Sequence, residues 1–257
     1  MKKFICMSAL ALVVVMLAGA AQAHEFLIKP VSLHAEKGTI LPFSAVSAHV
    51  FMISEEMEPL EQVEAKLLLA GKSTPLKLSP NDMLLTLDGQ INPQAQGTAI
   101  IAGHRKGMIW TNTTSGWKQQ SKKGLQGVIS SGKYEKFCKT LITVGSPDQS
   151  YKTPLGQRLE IIPQTDPSLV RPGEELVVKV LFDGKPVSVE SVMATYDGFT
   201  DASNSYAYFT EPYGQGLARV KISAPGVWMV RTQHVLDKQT EDYDSHVIRS
   251  VLIFEVL

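Results

Sequence analysis

The sequence predicts an all-β protein made of two β-sandwich-like halves, the C-terminal one immunoglobulin-like, and three observations predict it. Short β-branched runs recur along the chain. Gly, Pro and Asn separate them at the spacing of a sandwich. Several alternate apolar with polar residues, as half-buried strands do. No repeat at a fixed period and no low-complexity tract interrupts this pattern.

Residues 1–23 read as a secretory leader and stand apart from the fold. Lys2 and Lys3 open it, an apolar run extends from Phe4 to about Ala20, and Ala21-Gln22-Ala23 fits the small-residue cleavage pattern. Cys6 lies inside the apolar run and not at its cleavage end, so a lipid anchor has no cysteine to carry it. The expected product is an exported, periplasmic chain that begins at His24. No later segment reaches the roughly 18 to 20 apolar residues of a membrane span: "VIRSVLIFEVL" is short and interrupted by Arg249 and Glu255. Loss of Lys2 and Lys3 turns 25 basic residues into 23 against 25 acidic ones. That balance lacks the basic surplus on which nucleic-acid binding draws. Cys138 is then the one cysteine remaining, which excludes an internal disulfide and leaves burial to supply stability.

Residues 24–150 form the first expected half. "ILPFSAVSAHVFMI", "VEAKLLLA", "MLLTLDG" and "GTAIIAGHRKGMIW" read as strands. In "KYEKFCKTLITVG", Tyr134, Phe137, Cys138, Leu141 and Ile142 recur at helical spacing, which predicts a short helix before the linker "SPDQSYKTPLG". Residues 151–257 form the second half. Its strands are "LEIIP", "ELVVKVLF", "VESVMATY", "LARVKIS", "GVWMVRTQHVL" and "SHVIRSVLIFEVL", with Asp183-Gly184 in "FDGKP" as a hairpin turn.

Nucleophile elbows, phosphate-binding glycine loops and dinucleotide fingerprints are absent from the sequence. Histidine is the informative residue type, at positions 24, 34, 49, 104, 234 and 246. On a chain beginning at His24, the α-amine and ring Nδ1 of one residue can close a six-membered chelate on a metal ion, provided both are deprotonated. Further imidazoles would give a nitrogen-rich site suited to nickel, cobalt or copper and not to hard, oxygen-seeking cations. His49 lies in an expected strand. His234 and His246 flank the loop "VLDKQTEDYDS" of an expected hairpin, whose Glu241, Asp242 and Asp244 either support a cation or solvate a turn. His34 and His104 sit beside turn residues, and Trp110 and Trp117 lie in a polar segment as a sugar-stacking platform or as covering indoles.

The segments "AHEFLIKP", "VSAHVFMISEEMEP", "GKYEKFCKTLI", "PLGQRLEIIPQTDP", "RPGEELVVKVLFDGKPV" and "APGVWMVRTQHV" together resemble exported bacterial proteins of domain-of-unknown-function family 4198, associated with nickel and cobalt uptake transporters. That resemblance implies a periplasmic protein that holds a transition metal, nickel first, for a membrane metal-uptake transporter, by binding and not by turnover. It implies His24, His49 and His234 as ligands, with His246 beside them. Leu27-Ile28 stand where many relatives carry an aromatic residue. Two other functions fit the residues. A copper-dependent polysaccharide monooxygenase would also use an N-terminal His and a second His, and a metal-free carbohydrate-binding module would use Trp110 and Trp117.

Overall fold

A computed structural model describes residues 24–257; the expected leader, with Cys6, lies outside the described residues. The first part of the chain forms β1 (Glu25–Pro30), β2 (His34–Ala35), β3 (Leu41–Ala48), β4 (Val63–Leu69), β5 (Lys72–Leu76), β6 (Ser79–Asn81), β7 (Thr86–Ile91), β8 (Gly97–Thr113), β9 (Gly116–Lys118) and β10 (Val128–Val144). The remainder forms β11 (Leu159–Pro163), β12 (Glu175–Phe182), β13 (Lys185–Pro186), β14 (Val192–Tyr196), β15 (Tyr208–Thr210), β16 (Leu217–Lys221), β17 (Gly226–Leu236) and β18 (Ser245–Val256). Short 3-10 turns at Leu60–Gln62 and Gln149–Lys152 are the helical pieces among the described residues. The protein is all-β.

Three sheets make the layers. A ten-stranded central sheet runs in the order β15-β14-β17-β18-β10-β8-β4-β5, with β2 and β9 paired at its margins. It takes strands from before and after residue 150, joined by the parallel pair of β10 and β18. One face of it carries the sheet β1-β3-β7-β6, and the interface buries Phe26, Ile28, Phe43, Cys138, Met229 and Val251. The other face carries β11, β12, β13 and β16 over Phe137, Leu141, Val230, Ile248 and Leu252. This second pair of layers is the sandwich expected of the C-terminal strands. The hairpin turn before β13 also forms as the sequence predicts: Asp183 and Gly184 both take positive φ, 46° and 75°, between the paired Phe182 and Lys185.

The expected helix at Tyr134–Ile142 is instead the middle of β10, and the reason is its position. Between β8 and β18, β10 is covered on both faces, so the polar-out alternation of a half-buried strand is lost. The helical stripe divides between the two faces of the strand: Cys138 and Ile142 enter the first core, Phe137 and Leu141 the second. The expected linker contributes Tyr151, which is buried in that second core.

Two features fix β1, the strand that follows His24. Gly103 of β8 gives it room, since a Cβ there would stand 2.8 Å from the Phe26 ring and 2.7 Å from Cys138 Sγ. Glu25, 4% exposed, accepts a hydrogen bond from Arg231 Nε at 2.8 Å and lies 3.5 Å from Arg249 Nη1, so one buried carboxylate ties β1 to β17 and β18.

Candidate metal centre

The antiparallel register of β1 and β3 pairs Glu25 with Ala48. Continued by one residue, it sets His24 opposite His49. The two rings lie with centroids 3.8 Å apart, tilted by 38°. After β3 the chain turns back through Met52, which takes φ 69°, and Glu55 N–H donates to Ser47 O at 2.9 Å. The turn brings the Glu55 carboxylate to the histidines. His24, His49 and Glu55 each offer a ligand atom within 4.8 Å of the others, the group of this kind found among the described residues.

Glu55 is tied to His49 by two contacts. His49 Nδ1 stands 2.8 Å from Glu55 Oε2, and its backbone N–H donates to Glu55 Oε1 at 2.9 Å. Burial acts to raise the Glu55 carboxyl, but the His49 ring, its N–H and that of Val50 outweigh it and hold the carboxyl down to about 2. Glu56 lies 3.0 Å from His24 Nδ1, and that contact is the main cause of its lowered pKa. His24 Nε2 is 3.5 Å from Glu55 Oε2. A chelate through the α-amine and Nδ1 would therefore displace Glu56 from the ring.

Beside His24 opens a cavity of about 370 Å³. Its walls include Met57, Met108, Trp110, Trp117 and Tyr134, and its polar lining includes Glu56, Glu58, Arg105, Gln119 and Lys136. Lys136 Nζ contacts Glu58 Oε1 at 3.0 Å, and Arg105 Nε lies 3.5 Å from the same oxygen. Burial pushes Lys136 down to about 8.

The structure does not bring His234 and His246 to His24 and His49, a correction to the expected ligand set, and strand parity is the reason. His234 points to the same face of β17 as Trp228 and Val230, and His246 to the same face of β18 as Ile248 and Leu252. That face belongs to the second core, whereas β1 and β3 pack on the opposite one. His234 rests on Phe182, centroids 4.6 Å apart, and burial together with Arg158 lowers its pKa. His246 Nε2 faces Glu135 Oε2 at 3.0 Å, while His104 Nε2 faces Glu135 Oε1 at 2.9 Å and stacks on Phe137. His104 thus joins His246 and not His24. The expected hairpin is present, with His234 opposite Ile248 and Leu236 opposite His246. His34 is half exposed and pairs with Glu255. Glu241 and Asp244 of the hairpin loop pair with Lys123 and Lys122, and Asp242 accepts from Ser121, so these acids bind the neighbouring loop.

A sequence profile described as a domain of unknown function, DUF4198, matches residues 21–236. The chain belongs to this family. Comparison with curated proteins finds no match. Solved structures similar to it include the D0-D1 domain of intimin, at 12% identity and TM-score 0.23 over 90% of this chain and 98% of that one. The mouse nectin-like molecule 4 ectodomain follows at 11% and 0.22, covering 91% and 65%, and the Escherichia coli adhesin FdeC at 10% and 0.26, covering 88% and 64%. Family membership carries no residue roles, so the site rests on its own geometry.

Glu55, Glu56, Glu58, Arg105, Lys136 and Glu135 are polar residues of these clusters that the sequence reading missed. For the first two a signal existed: in "AHVFMISEEMEP" a pair of acids follows His49 within a tight turn's reach. Glu135 gave none, because its partners lie 31 residues before it and on β18.

Proposed function

We propose that this chain is an exported metal-binding protein that holds one transition-metal ion through His24, His49 and Glu55 and hands it to a membrane uptake transporter. The observation that carries the reading is the His24–His49 pair with the Glu55 carboxylate 2.8 Å from His49. Two imidazoles and a carboxylate form a borderline donor set open to cobalt, nickel and copper, and nickel stands first on the sequence resemblance alone. The leader-like segment before His24 supports a periplasmic location, and cleavage after Ala23 would add the α-amine as a further nitrogen donor. The same two histidines would serve a copper-dependent polysaccharide oxidase, but a concave cavity beside His24 suits a small ligand better than a polymer chain. The test is calorimetric titration of metal-stripped protein beginning at His24 with nickel, cobalt and copper in a non-coordinating buffer. One ion per chain, lost in His49→Ala, is the expected result. A wild-type protein that takes up none of the three overturns the reading.

A further inference from the structure

Three side-chain donors, with the α-amine of a chain beginning at His24, still leave coordination positions open on a six-coordinate ion such as nickel(II), and the cavity lies on the His24 side of the group. At about 370 Å³ it falls within the range of small-molecule sites. Aromatic and thioether side chains form its walls, with Trp110, Trp117 and Met108 among them. Two buried cations line it: Arg105 and Lys136, 2% and 3% exposed, both contact the Glu58 carboxylate. Arg105 Nη1 donates to Lys106 O at 2.9 Å and to Tyr134 O at 2.8 Å, while its Nε, 3.5 Å from Glu58, makes no hydrogen bond. Glu56, the other acid of the lining, lies 3.0 Å from His24 Nδ1. An incoming carboxylate would add an acceptor for these two cations.

We propose that the ion is bound as a chelate with a small organic carboxylate that lies in this cavity. One end of the chelator completes the coordination of the ion at His24, its body packs against Trp110, Trp117 and Met108, and a second carboxylate meets Lys136 and Arg105. The inference rests on the metal reading above and adds to it the chemical form in which the ion arrives. Apolar walls give the body of such a molecule burial, and the cations give its far carboxylate charge-assisted hydrogen bonds.

The test uses native mass spectrometry and calorimetry on protein beginning at His24, with nickel alone, nickel–citrate, nickel–pyridine-2,6-dicarboxylate and each chelator without metal. The expected result is a one-to-one-to-one complex of protein, nickel and at least one chelator. Lys136→Met and Trp117→Ala should each weaken that complex tenfold or more while leaving affinity for nickel alone within twofold. Trp117 is 43% exposed, so its variant tests the cavity even if the buried Lys136 variant fails to fold. Nickel retained with both chelators released overturns this inference and leaves the metal reading standing. Ternary complexes indifferent to Trp117→Ala and to a folded Lys136→Met also overturn it, because the chelator then lies elsewhere. Protein that binds nickel in no form overturns both.

Discussion

Replacing Glu25 with Gln removes the charge that pins the strand after His24 without altering any proposed ligand. Glu25, Arg231 and Arg249 have side chains 6%, 8% and 10% exposed, so the substitution leaves two buried guanidiniums without their shared carboxylate. Removing one partner of a buried ion pair costs about 3–5 kcal/mol. The amide oxygen of Gln can still accept from Arg231, and Gln233 already accepts from Arg231 Nη2 at 3.1 Å, which sets the expected loss near the lower bound, about 3 kcal/mol. With a urea m-value of roughly 3 kcal/mol per molar for a chain of this size, the midpoint falls by about 1 M. Fluorescence of the buried Trp228 reports the transition. The difference should also depend on pH. Burial alone would raise the Glu25 carboxyl, but Arg231 and Arg249 outweigh it and hold the carboxyl below its ordinary value of 4.5. A depressed carboxylate contributes stability that is present above the unfolded pKa and lost as pH falls through the folded one. Wild type and variant should therefore converge in acid. A loss below about 0.5 kcal/mol at pH 7, the span of an ordinary surface substitution, or a gap that stays constant down to pH 3, would refute the anchoring role assigned to Glu25.

Other outcomes follow from the same geometry. His49→Ala should weaken nickel binding tenfold or more, about 1.4 kcal/mol, while His34→Ala and His234→Ala leave it unchanged; calorimetry on the three variants decides. Glu135→Gln should cost about 2 kcal/mol at pH 7, since His104 loses its charged acceptor and His246 the carboxylate 3.0 Å from its Nε2. Because those contacts outweigh burial and hold Glu135 well below 4.5, that gap should narrow as pH falls below about 4, as urea curves across pH will show. Cys138 is fully buried and burial pushes its thiol up to about 12, so a thiol reagent should label it only after unfolding. One extra residue before His24 converts the α-amine to an amide; if the amine is a ligand, nickel affinity falls although every side chain remains, and equal affinities would show that it is not.

The strands were legible wherever one face meets water or a turn residue marks an end. β11, β12, β17 and β18 fall where their β-branched runs lie, and Asp183-Gly184 marks its hairpin by chemistry that few other pairs supply. β10 was not, because a strand covered on both faces has no period of two to read. Half of the expected ligand set is found together. His24 and His49 meet because β1 and β3 pair in one register, which a sequence does not print. His234 and His246 are neighbours on adjoining strands as expected, yet which face of a ten-stranded sheet they occupy depends on layers assembled from distant segments. Glu55 enters through a turn built on the positive φ of Met52, a residue type that gives no warning of it.

The claim at the centre is that His24 and His49 hold one transition-metal ion. Native mass spectrometry of protein purified from a periplasmic extract tests it most directly, because one spectrum reads both the mass of the processed chain and the ion it carries. The expected result is a chain beginning at His24 with a single nickel, cobalt or copper ion that is absent from His49→Ala. A wild-type chain that remains metal-free after incubation with all three ions, or one whose metal survives His49→Ala unchanged, would contradict it.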